Sequence, residues 1–97
     1  MATIGTFQKT GKGYKGSIKT LTVEAEVEII AVETSGDKEP DFRVKANGDI
    51  DLGAGWTRVS KKTKREYVSL KLQDPTFAGP IYANLTEQDG TYSLIWS

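Results

Sequence analysis

The stretch LTVEAEVEI, residues 21–29, decides the fold class. Apolar and polar side chains alternate through it, so Val23, Ala25, Val27 and Ile29 fall on one face. Glu24, Glu26 and Glu28 share the opposite face. A helix would scatter these carboxylates around its circumference, and the β-branched content also favours a strand. The period is two, and the element is a strand with one buried side.

The same period extends in both directions. Towards the N-terminus, Thr3–Phe7 predicts a first strand and Thr10-Gly11-Lys12-Gly13 a hairpin turn. Tyr14, Gly16 and Ile18 then alternate with Lys15, Ser17 and Lys19, and the phase slips at Thr20-Leu21, which predicts a bulge or tight bend. Towards the C-terminus, a polar loop over Ser35–Pro40 precedes a strand over Asp41–Ala46. Asn47-Gly48 is a strong turn signal, because both residues tolerate positive φ. Ile50, Leu52, Ala54 and Trp56 continue the alternation, which places Trp56 in the core, while Gly53 and Gly55 leave room for a kink or a close backbone approach. Val68, Leu70 and Leu72 share one face, with Arg65, Tyr67, Ser69 and Lys71 on the other. Asp74-Pro75 and Gly79-Pro80 bracket a loop. Ile81, Ala83 and Leu85 form a further strand, Glu87–Gly90 a turn, and Tyr92, Leu94 and Trp96 the last strand. About seven short strands predict one all-β domain over residues 1–97, a compact antiparallel barrel or sandwich.

Composition narrows the chemistry. Among 97 residues there is neither cysteine nor histidine, which removes disulfides, thiolate nucleophiles, the usual zinc ligands and every Ser-His relay. No two carboxylates are marked as facing each other across a cleft, and the row of Glu residues, about 7 Å apart along a flat strand, does not converge on a cation. The expectation is a binding domain rather than an enzyme, with no cofactor and no metal. The N-terminus MATIGTFQKTGKG does not read as a signal peptide, and no window holds the roughly 20 apolar residues of a membrane helix. The expected location is cytoplasmic.

Charge is balanced, with 13 basic and 13 acidic residues, yet it is segregated. Lys9, Lys12, Lys15 and Lys19 form a basic cluster, residues 24–41 are acidic, and residues 58–71 are basic again. In GWTRVSKKTKREYVSLKL, residues 55–72, Arg58, Lys61, Lys62, Lys64, Arg65 and Lys71 surround Trp56 and Tyr67. Single-strand nucleic-acid binders combine cations that track phosphates with rings on which bases stack. The same residues also suit a soluble hairpin tip that guards an edge strand, with Tyr67 as a packing residue. The first cluster would extend the basic surface if the first hairpin lay beside it. The Glu24, Glu26 and Glu28 row offers a different surface, suited to a basic protein partner.

Read end to end, the blocks Ala2–Phe7, Gly16–Leu21, Asp41–Val44, Gly55-Trp56, Tyr67–Leu72, Pro80–Leu85 and Tyr92–Trp96 resemble the bacterial "domain of unknown function 736" family. That resemblance implies a small protein of plasmids and integrative elements, near conjugation genes. It implies roles in DNA transfer, replication or anti-defence, and no catalytic residue. Lys61-Lys62-Thr63-Lys64 resembles the family's hairpin tip, which usually carries a glycine; none occurs here between Gly55 and Gly79. Two functions follow as expectations: a single-strand nucleic-acid-binding accessory protein, or a protein-interaction module such as an anti-defence inhibitor or conjugation adaptor.

Overall fold

The computed structural model describes residues 2–33 and 39–96. Of the expected loop at 35–40, residues 35–38 lie outside the described residues. The strands are β1 (Ala2–Thr10), β2 (Gly13–Lys19), β3 (Glu24–Ala31), β4 (Phe42–Ala46), β5 (Ile50–Val59), β6 (Glu66–Leu72), β7 (Ile81–Gln88) and β8 (Thr91–Trp96). Each pairs antiparallel with the next, and β8 pairs back onto β1. The result is a closed up-and-down barrel, which resolves the choice between barrel and sandwich. Eight strands enclose an interior just wide enough for side chains to fill.

The filling follows the alternation. Val27 and Ile29 of β3, Leu70 and Leu72 of β6, Ala83 and Leu85 of β7, and Leu94 of β8 are buried together around Phe7 of β1. No buried polar or charged residue interrupts this core among the described residues. Among those residues no helix is long and apolar enough to cross a membrane.

Turn chemistry sets the meander. Asn47 and Gly48 have φ of 49° and 96°, and Asp89 and Gly90 have 55° and 83°. Asp89-Gly90 is the positive-φ pair that a two-residue hairpin needs to match strand twist, whereas Asn47-Gly48 opens a three-residue loop closed by Asp49. Glu87, expected in the last turn, instead belongs to β7 and faces Tyr92 across the ladder. At Thr20-Leu21 the chain makes a tight bend rather than a bulge: the Thr20 amide donates to the Val23 carbonyl at 2.7 Å. The Val23 amide donates back to Thr20 Oγ1 at 3.0 Å.

One expectation fails in β5. The pairing of β4 with β5 shifts register between Val44 and Lys45, so that Val44 opposes Gly53 and Lys45 opposes Asp51, with Leu52 as the extra residue. A bulge of this kind reverses the facing of everything beyond it. Leu52 is buried, but Gly55 rather than Ala54 then points inward: a Cβ on Gly55 would meet Leu70 Cδ2 at 2.6 Å and Val68 Cγ1 at 3.0 Å. Ala54, Trp56 and Arg58 therefore face outward, and Trp56 is absent from the core. The alternation is real on both sides of the bulge; the bulge itself is an interruption of it that carries no sequence signal beyond the glycines.

Candidate nucleic-acid interface

With its phase corrected, β5 joins β6 and β7 in one outer surface. Across the ladders, Ala54 neighbours Lys71, and Lys71 neighbours Tyr82. The next row is Trp56, Ser69 and Asn84. Beyond it Arg58 neighbours Tyr67. Arg43 of β4 extends the first row through Ala54. One carboxylate borders these rows: Asp41, just before β4, accepts from the Thr57 amide through Oδ2 at 2.8 Å, beside Trp56. Three rings, Trp56, Tyr67 and Tyr82, are thus interleaved with three cations, Arg43, Arg58 and Lys71, at strand spacing.

Individual contacts support the arrangement. Lys71 Nζ lies 6.0 Å from the Tyr82 ring centroid, within cation–π range. Tyr82 is about half exposed, so one face of its ring remains available. Tyr67 and Trp56 are half-buried on the outer wall. Strand β6 lies between β5 and β7, so Tyr67, Ser69 and Lys71 do not guard a sheet edge.

The β5–β6 tip projects four cations, Lys61, Lys62, Lys64 and Arg65, all exposed. Its backbone is closed by the Ser60 amide donating to the Arg65 carbonyl and the Lys64 amide donating to the Ser60 carbonyl, each at 2.9 Å. Lys64 adopts φ 59°, the left-handed conformation. That conformation favours glycine, so the tip holds a lysine in a geometry that glycine adopts more readily. A groove runs beneath the tip, lined by Arg58, Lys61, Arg65 and Tyr67 and also by Glu66 and Glu87, among others.

Of the first basic cluster, Lys9 and Lys12 line a cavity that adjoins this surface at Glu66 and Tyr67, whereas the other two lysines lie elsewhere. Lys15 and Lys19 sit on β2, diametrically opposite β6 in the strand order, so they do not extend this surface. They oppose Glu28 and Glu24 in register, and Lys45 of β4 opposes Glu28 from the other side. Lys15 Nζ approaches Glu28 Oε1 to 4.0 Å. Glu24, Glu26 and Glu28 are exposed as expected, with Ser17 opposite Glu26, so the acidic row is flanked by lysines.

Tyr82, Asn84, Thr86 and Arg43 were not marked as site residues by the sequence. Tyr82 alternates with buried Ala83, and that periodicity alone puts its ring outside. Nothing local, however, shows that β7 lies beside β6.

A family model described as "Protein of unknown function (DUF736)" matches residues 3–97. The chain belongs to the DUF736 family. No curated protein and no solved structure matches it. Membership of DUF736 therefore brings a fold-length sequence pattern and no assigned activity.

Proposed function

We propose that the outer face of β5–β7, with the β5–β6 tip, binds single-stranded nucleic acid. The observation that carries this reading is the outer surface on which Trp56, Tyr67 and Tyr82 alternate with Arg43, Arg58 and Lys71, with the bordering Asp41 carboxylate tied to the Thr57 amide. Bases stack on the rings at about 1–3 kcal/mol each, and the cations follow the phosphates. Lys61, Lys62, Lys64 and Arg65 lengthen the electrostatic track. The role is that of an accessory protein in DNA handling by a bacterial mobile element, without catalysis. A protein-docking role for Glu24, Glu26 and Glu28 has less support, because Lys15, Lys19 and Lys45 stand across from them.

The test is a fluorescence anisotropy titration of labelled single- and double-stranded oligonucleotides at low and physiological salt. The reading expects salt-sensitive binding that prefers the single strand and is lost in the Lys61→Glu/Lys64→Glu variant. Absence of binding at low salt would refute it.

A further inference from the structure

The basic face runs into a second concavity at one end of the barrel. There the Tyr14 ring lies 4.9 Å from the Tyr92 ring and 5.9 Å from the Phe42 ring, tilted by 60° and 53°. Glu66 occupies the inward position beyond buried Val68, and Glu87 the inward position beyond buried Leu85, opposite Tyr92. Burial first, then the charge of Glu87 and a hydrogen bond to it, hold the Tyr92 phenol above its ordinary pKa. The Tyr14 phenol is raised too, first by burial, then by the charges of Tyr92, Glu66 and Glu87. Both carboxylates thus act on the same pair of rings. Together these groups line a cavity of about 360 Å³, within the range of small-ligand sites. Glu66, Tyr67 and Glu87 line both this mouth and the groove beneath the hairpin tip, so the two are continuous.

We infer that the mouth takes one unstacked guanine base from a strand lying on the β5–β7 face, an inference that rests on the strand-binding reading above. Recognition of single strands works by splaying a base out, stacking it on aromatic rings and reading its Watson–Crick edge. Tyr14, Phe42 and Tyr92 supply the rings. An ionised carboxylate only accepts hydrogen bonds. Guanine presents two adjacent donors, N1–H and the N2 amino group, which match the two oxygens of a carboxylate. Adenine and cytosine set one amino group beside an acceptor nitrogen, and thymine flanks its single N3–H with carbonyls, so each turns an acceptor towards Glu66 or Glu87. Lys9 and Lys12 stand at the rim of the same cavity. They offset the two carboxylates and suit a neutral base on an anionic backbone better than an organic cation.

Two titrations test this. The first compares a short oligothymidylate with the same oligonucleotide carrying one central guanine, by anisotropy. The guanine should tighten binding on the order of tenfold, and Glu66→Gln or Glu87→Gln should bring the ratio of guanine-containing to oligothymidylate affinity back to about one, whatever each variant does to oligothymidylate affinity itself. Both residues are exposed, so the amide variants retain the fold, which their melting temperatures check. The second titrates guanosine, adenosine, cytidine and uridine monophosphates against the tyrosine ring resonances in NMR, which reads the mouth without the outer face. Selective shifts of Tyr14 and Tyr92 by guanosine monophosphate, lost in either variant, support the pocket. Equal response to all four nucleotides, or none, overturns it even if oligothymidylate binds. A guanosine monophosphate response without oligothymidylate binding would keep the pocket and remove the strand-binding face.

Discussion

Adding a single methyl group to Gly55 distinguishes the observed phase of β5 from the one that uninterrupted alternation implies. A Cβ built there sits 2.6 Å from Leu70 Cδ2, 3.0 Å from Val68 Cγ1 and 3.4 Å from Phe42 Cβ. Leu70 can rotate, but Val68 is itself packed in the core, so the strain is only partly relieved. Overpacking of a core costs about 1–3 kcal/mol, and replacing glycine by alanine recovers about 0.4–1 kcal/mol through the unfolded chain. Gly55→Ala should therefore destabilise by about 1–2 kcal/mol, lowering Tm by about 4–16 °C for a domain of this size. Ala54→Val is the paired control. Ala54 lies outside between Arg43 and Lys71, where a β-branched residue suits a strand and the change should stay within about 0.5 kcal/mol. Thermal unfolding followed by far-UV circular dichroism, checked by urea titration, reads both. A Gly55→Ala protein as stable as the parent, beside an Ala54→Val protein that melts well below it, would return Ala54 and Trp56 to the interior and remove Trp56 from the proposed interface.

Further outcomes concern the loops. Lys64 at φ 59° pays the left-handed penalty of about 1–2 kcal/mol, so Lys64→Gly should stabilise by about 0.5–1 kcal/mol after the entropy of glycine is counted. Urea unfolding at high salt measures this without the change in charge, and a loss of stability would contradict the tip geometry. The Asp74 carboxylate accepts hydrogen bonds from the Thr76 hydroxyl and from the Thr76 amide at 2.9 Å, which hold it below the ordinary aspartate value of 3.8. A depressed folded pKa contributes stability above that value and loses it as pH falls through the folded pKa. Asp74→Asn should melt lower at neutral pH and show a shallower acid limb, and an unchanged limb would show that the turn contributes nothing.

The fold was largely legible because the barrel is built from local hairpins. Val23–Ile29 and Val68–Leu72 alternate cleanly, and the Asn47-Gly48 turn sits where its φ chemistry requires. Closure was not legible, since the β1–β8 pairing joins the two ends of the chain and leaves no local mark. The site was half legible. Tyr67 and Lys71 face outward as their phase implied, and Lys61, Lys62, Lys64 and Arg65 are exposed at the hairpin tip. Trp56 was misplaced because one extra residue at Leu52 reverses the strand, and β-bulges have a weak composition signature. Tyr82 became part of the surface only through its lateral register with Lys71, a contact between strands that the alternation within each strand does not encode. The mouth residues Tyr14, Phe42 and Tyr92 come from three strands far apart in sequence, and only closure brings their rings together.

The central claim is that one side of the barrel, and not its charge as a whole, meets the strand. Single-strand affinity should be measured across a salt series for Lys71→Ala, Arg58→Ala and Lys15→Ala, the last lying across the barrel beside Glu28. Lys71→Ala and Arg58→Ala should each weaken binding and reduce the salt slope by about 1, while Lys15→Ala should match the parent. Equal losses from all three lysine and arginine removals, or none from any, would contradict a face-specific interface on β5–β7.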